Sequence, residues 1–124
     1  MNVPAVIKEL EEKYPGHTII KNDESMPTEI ICETEPGTEH PEYSIAIAVI
    51  DKSIRHYHTV ATETYKVLRG TLRVYINDED DIVVQEGETL VIHPGQLHWA
   101  TGDETWIECE SRPAWTREDH ILAA

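Results

Sequence analysis

A chain of 124 residues is long enough for one enclosed core and too short for a second domain. Its 24 acidic against 10 basic residues give a formal charge of −14. That balance argues against a nucleic-acid or anionic-membrane surface, because both need clustered Lys and Arg.

The first element in the chain is a helix over residues 4–14. Pro4 suits a first turn, Val6, Ile7 and Leu10 share a face, and Pro15-Gly16 ends it. That face should pack across the outside of a β structure or against a second subunit. Residues 18–21 and 29–34 read as short strands around the polar connection 22–27, and 35–39, with Pro36 and Gly37, as a loop. Residues 43–50 form a strand rich in Ile and Val. Residues 56–58 and 63–68 are strand material broken around 59–62, and Gly70 begins a turn. In 71–76, Leu72, Val74 and Ile76 lie on one face and Thr71, Arg73 and Tyr75 on the other. Residues 77–81 are a solvated hairpin tip, and strands over 82–85, 89–92, 97–101 and 105–110 complete the set. Short strands divided by Gly, Pro and Asp predict an all-β antiparallel sandwich or barrel. Residues 1–34 supply the helix and accessory strands, and 35–124 the barrel, within one domain overall.

His56 and His58 stand two apart, so on a strand they project to one face. Glu63 and Gly70 follow at short intervals. Neutral imidazoles and a carboxylate on one concave surface suit a divalent transition metal. A second block, Gly87-Glu88-Thr89-Leu90-Val91-Ile92-His93-Pro94-Gly95-Gln96-Leu97-His98, reads as a turn glycine, a short apolar strand, a Pro-Gly turn and one more histidine. Together the blocks resemble the paired motifs of the cupin superfamily over residues 43–110. The first fits at His56, His58, Glu63 and Gly70, the second at Gly87, Gly95 and His98. Three positions depart from the family pattern. Ile50 replaces a glycine, His93 a proline (Pro94 follows), and Gly102 an occasional asparagine.

The resemblance implies a double-stranded β-helix, the jelly-roll barrel, with a metal held by His56, His58, Glu63 and His98. Three imidazoles and one carboxylate can occupy four octahedral positions and leave two open, as a catalytic metal requires. These donors do not choose strongly among Mn, Fe, Co, Ni and Zn. Tyr65 and Val67 share parity with Glu63, so Tyr65 is the candidate catalytic phenol. Leu72, Val74, Ile76, Ile107 and Cys109 read as a dry lining. Trp99 should point away from the metal. His40 and His93 read as loop and edge residues, and Arg69 and Arg73 as surface partners of acids.

The function expected is that of a metal-dependent enzyme on a small oxygen-rich metabolite, a sugar or sugar phosphate, of isomerase or epimerase type. An iron-dependent dioxygenase and a non-catalytic small-ligand-binding module are the alternatives, since a fold alone does not fix a function. No phosphate loop, Gly-X-Ser-X-Gly elbow, helical His-Glu-X-X-His or calcium loop is present. Cys32 and Cys109 lie outside any Cys-X-X-Cys pair and read as free thiols. The first 13 residues lack a signal peptide's pattern, and no apolar stretch approaches membrane-spanning length, so a cytoplasmic protein is expected. Edge strands that need covering suggest a twofold homodimer.

Overall fold

Helix α1 (Val3–Lys13) starts where Asn2 accepts a side-chain bond from the Ala5 N–H at 3.3 Å, with Pro4 in the first turn. It stops at Tyr14, whose N–H bonds the Leu10 carbonyl. In this computed structural model residues 1–123 are described; Ala124, the end of the segment read as barrel, lies outside them. The strands among the described residues are β1 (Thr18–Lys21), β2 (Glu29–Glu35), β3 (Ser44–Lys52), β4 (His56–Tyr57) and β5 (Thr62–Arg69). They continue with β6 (Thr71–Ile76), β7 (Ile82–Gln85), β8 (Thr89–Ile92), β9 (His98–Arg112) and β10 (Ile121–Leu122). All pair antiparallel in one curled sheet.

The sequence predicts two strands over 97–101 and 105–110. The structure joins them as one 15-residue strand with a bend. The first part of β9 pairs with β4 and β6, and the second with β3 and β5. At the bend Glu104 has φ 45°, and the register against β3 slips between Ile50 and Lys52. Gly102 is required there. A Cβ would meet Thr105 Cβ at 2.8 Å and the Ile50 carbonyl oxygen at 2.9 Å. Strand β10, after the last strand read from sequence, pairs with β4 through Ile121↔Tyr57 and Leu122↔His56.

Two apolar clusters result. The inner one joins Ala48, Ile50, Tyr65, Val67 and Ile107 to Leu72, Val74, Val84, Ile92 and Ala100, with Ile76 and Cys109 packed against it. The outer one places Val6 and Leu10 of α1 on Ile30, Cys32, Ile47, Val49 and Trp106. The helix therefore packs on the outside of the barrel. Arg69 pins it there, reaching Glu9 at 2.9 and 3.0 Å while lying 4.7 Å from the Trp106 ring centroid. Those bonds, Arg69 first and then Lys13, hold the Glu9 carboxyl down to about 2. Both cysteines are free. No helix among the described residues is long and apolar enough to cross a membrane.

Leu10 is fully buried between helix and sheet. Leu10→Ala is expected to destabilise the fold by about 2–5 kcal/mol, through lost transfer energy plus the cavity left behind. Chemical unfolding monitored by circular dichroism checks this.

Candidate metal centre

His56 lies on β4, opposite His98 at the start of β9, and Ile76 flanks His98 on its other side. His58 follows β4 directly, and Glu63 sits on β5 opposite Ser111 of β9 and Ile92 of β8. The curl of the sheet therefore brings to one point four side chains that are far apart in sequence. One ligand atom from each of His56, His58, Glu63 and His98 lies within 4.8 Å of all the others. The four are buried, His98 at 1% and Glu63 at 5% exposure.

The orientation of the rings follows from hydrogen bonding. Nδ1 of His56 lies 2.8 Å from the Ile54 carbonyl, that of His58 2.8 Å from the Asp119 carbonyl, and that of His98 2.9 Å from the Gln96 carbonyl. A carbonyl oxygen only accepts, so each Nδ1 carries a proton, and in the neutral ring that a metal binds the lone pair is left on Nε2. Two of those Nε2 atoms face Glu63 Oε1, at 3.0 Å from His58 and 3.2 Å from His98. The His58 Nε2 is buried and lacks hydrogen-bond alignment. A buried imidazole lone pair without a partner, beside a carboxylate, fits a divalent transition metal. The cluster could hold such an ion.

Charge is divided unevenly over the cluster. Burial, reinforced by the His98 imidazole, pushes His56 down to about 3, so it stays neutral. Burial opposes charge on Glu63, yet His58 and His98 outweigh it and hold the carboxylate well below its ordinary range. His58 is likewise disfavoured as a cation by burial, and the pull of Glu63 more than reverses that. The second Glu63 oxygen accepts from Cys109 Sγ at 3.3 Å. Burial and the Glu63 charge raise that thiol well above its usual value, so it remains a donor.

Tyr65 is on the inner face, its ring centroid 6.2 Å from that of His98. Its hydroxyl bonds no protein group among the described residues. Burial first, then the Glu63 charge, raises it well above the ordinary phenol value. The remaining candidates lie elsewhere. His40 stacks on Tyr43 at 3.9 Å and reaches Glu35 at 3.5 Å. His93 is exposed. Arg69 pairs with Glu9, and Arg73 with Asp81 at 2.6 Å. Trp99 stacks on Tyr75 at 4.2 Å, on the side of the sheet away from the cluster. A surface groove of about 350 Å³, lined by Lys52, Ser53, Ile54, Arg55, Trp99 and Ala123, includes none of the cluster residues.

Sequence reading missed the tail after Arg112. Asp119 Oδ1 accepts from the Thr59 N–H at 2.7 Å, the Thr59 hydroxyl at 2.8 Å and the Val60 N–H at 3.1 Å; Oδ2 accepts from the Ala61 N–H at 2.9 Å. One residue thus fixes the segment between His58 and Glu63 and, through its carbonyl, the His58 ring. His120 stands over the cluster, 4.4 Å from His56 and 5.8 Å from His58 between ring centroids, with Nδ1 buried and unbonded. Neither residue carries a spacing signal, because the tail reaches the site only through its pairing with β4.

The fold and site define a small β-barrel protein with a buried histidine–carboxylate cluster able to hold a metal. The chain belongs to the cupin family, whose cupin-domain model matches residues 30–107. Among solved structures it is similar to a Streptomyces PAC13 variant with uridine, at TM-score 0.76 and 13% identity over 90% of this chain and 88% of that one. PAC13 is described as a nucleoside dehydratase. KdgF from Halomonas sp. matches at TM-score 0.65 and 16% identity, over 83% of this chain and 92% of that one. Ectoine synthase from P. lautus matches at TM-score 0.66 and 11% identity, over 91% and 86%. At such identities these likenesses concern the fold. No curated protein sequence matches the chain.

Removing the Asp119 carboxylate leaves four donors on residues 59–61 unbonded at once. In Asp119→Ala we expect amide exchange at Thr59, Val60 and Ala61 to accelerate about tenfold or more, while exchange in β3 is unchanged. Hydrogen exchange read by NMR checks this.

Proposed function

We propose that this chain is a metal-dependent enzyme that moves a proton on a small oxygen-rich metabolite, a sugar or sugar phosphate, in an isomerisation or epimerisation. The observation that carries this reading is the convergence of three imidazoles, each oriented by a bond at Nδ1, and the Glu63 carboxylate, beside a phenol that bonds no protein group among the described residues. His56, His58, Glu63 and His98 would hold the ion, one of Mn, Fe, Co, Ni or Zn by donor type. When bound, it supplies Lewis-acid polarisation of a substrate oxygen.

The chain's own residues do the rest. Tyr65 stays neutral at physiological pH and donates a hydrogen bond to a substrate oxygen. Ile50, Val67, Leu72, Val74 and Ile107 form an apolar wall that keeps bulk water from that oxygen and strengthens each polar contact. The carbonyls of Ile54, Gln96 and Asp119 fix the imidazoles before substrate arrives. Enzymes occur among the similar folds, one of them a nucleoside dehydratase seen with uridine, a hydroxylated small molecule. That likeness supports a substrate of this class by analogy only.

Elemental analysis of protein purified without a histidine tag, followed by NMR of aldoses and aldose phosphates in heavy water, tests the proposal. We expect about one equivalent of transition metal, and solvent deuterium entering the carbon beside the carbonyl. In His58→Ala metal content should fall at least about tenfold while the barrel stays folded. Full metal content in that variant would remove His58 from the ligand set. Consumption of dioxygen by an iron-loaded protein, or tight binding without turnover, would overturn the isomerase reading.

The reading includes a twofold homodimer, supported by the free edge of β1, where Ile20 is 43% exposed. Sedimentation velocity at micromolar concentration should show a dimer; a monomer alone would refute it.

A further inference from the structure

Glu29 is an acidic residue on the wrong side of its strand for a solvated charge. On β2 the buried residues Ile30 and Cys32 face outward, under α1, and lie opposite Val49 and Ile47 of β3. Glu29 and Ile31 take the other face. Their partners Ile50 and Ala48 belong to the inner cluster, and Ile31 packs against it. The Glu29 carboxyl is therefore directed into the barrel interior. Its side chain makes no hydrogen bond or ion pair among the described residues, and it is only partly exposed. An isolated carboxylate in such surroundings is expensive unless something that enters the interior engages it.

The titratable groups around it belong to the same space. Glu63 and Tyr65 come from β5, Cys109 from β9, and its own strand adds Glu33 on the same face. Strand β3 offers only Ile50 and Ala48 beside it. Burial first, and then the Glu63 charge, raises the Glu29 carboxyl to about 7. Both protonation states are thus available near neutral pH, as a proton carrier needs. Tyr65 remains a fixed donor, so the two groups are pushed to different tasks by their surroundings.

We propose that Glu29 is the proton-transfer residue of the barrel interior, acting on the carbon beside a carbonyl of a small hydroxylated substrate while Tyr65 donates to the oxygen. This deepens the enzyme reading above and rests on it. The Glu29 carboxylate takes the C–H proton. The C–H electron pair becomes the C=C bond of an enediol, and the carbonyl pair moves to oxygen, where Tyr65 bonds it. Return of the proton from Glu29 to the adjoining carbon, while the other enediol hydroxyl passes its proton to the former carbonyl oxygen and becomes the new C=O, completes an isomerisation. No oxidant or co-reactant enters.

The test compares wild type with Glu29→Gln, and with Glu29→Leu as the second variant, all metal-loaded. For the aldose that wild type converts fastest, kcat should fall about 100-fold or more in both variants, with KM and metal content within about threefold of wild type. Carbon-13 NMR of the labelled Glu side-chain carboxyls should show one resonance titrating above the ordinary carboxylate range, because burial is the first cause of the shift, and it should vanish in both variants. Thermal midpoints should be equal to or above wild type, since an unpartnered buried carboxyl is removed. Variants as active as wild type, or a Glu29 resonance titrating in the ordinary carboxylate range, would overturn the inference while leaving the enzyme reading intact. A wild type inert toward every aldose and phosphate would defeat that reading, and this inference with it.

Discussion

Strand β9 belongs to both halves of the barrel, and the rest of the arrangement depends on its bend. Its first residues align His98 with His56 and Ile76, and its last residues align Cys109 with Tyr65 and Ser111 with Glu63. Between them the backbone must turn within van der Waals distance of Thr105 and the Ile50 carbonyl, which leaves no room for a side chain at Gly102. A straight strand would leave the histidine pair and the carboxylate in separate layers. With the bend, a buried pocket of donors forms where two layers meet, and hydrocarbon closes it on the inner side.

Inside that pocket the electrostatics are set by orientation more than by distance. Backbone carbonyls hold each Nδ1 proton outward, so three lone pairs are turned toward one carboxylate. The low-dielectric wall makes any net charge there costly, and this is why His56 is kept neutral while Glu63 is kept ionised by its neighbours. Rigidity comes from an unexpected source. The tail, docked as β10 on β4, supplies Asp119 to clamp residues 59–61 and His120 to lie across the rings. The site is thus assembled from strands inside the matched cupin region and a tail beyond it.

Helix α1 decides which face of β2 is the inner one. Ile30 and Cys32 look like the residues of a core-facing side, and they are buried, but beneath the helix. The opposite face, with Glu29 and Ile31, then belongs to the barrel interior. A sheet covered on both sides has two buried faces, and its polar residues no longer mark solvent.

The chain by itself determined the all-β architecture, the helix around Val6 and Leu10, and the four residues that meet, because turn residues, period-two alternation and ligand spacing are local properties written along it. The motif spacing from His56 through Glu63 and the second block ending at His98 were sufficient to name the cluster and the cupin family. Local pattern could not reveal that the strands around Gly102 are one, since a bend and a break leave the same glycine and acids in sequence. Nor could it place Asp119, His120 or Glu29. Asp119 and His120 reach the centre only when β10 closes on β4, and Glu29 faces inward only once α1 has taken the other side of β2. Those assignments depend on which surfaces come to cover one another, and that is decided by contacts between residues distant in the chain.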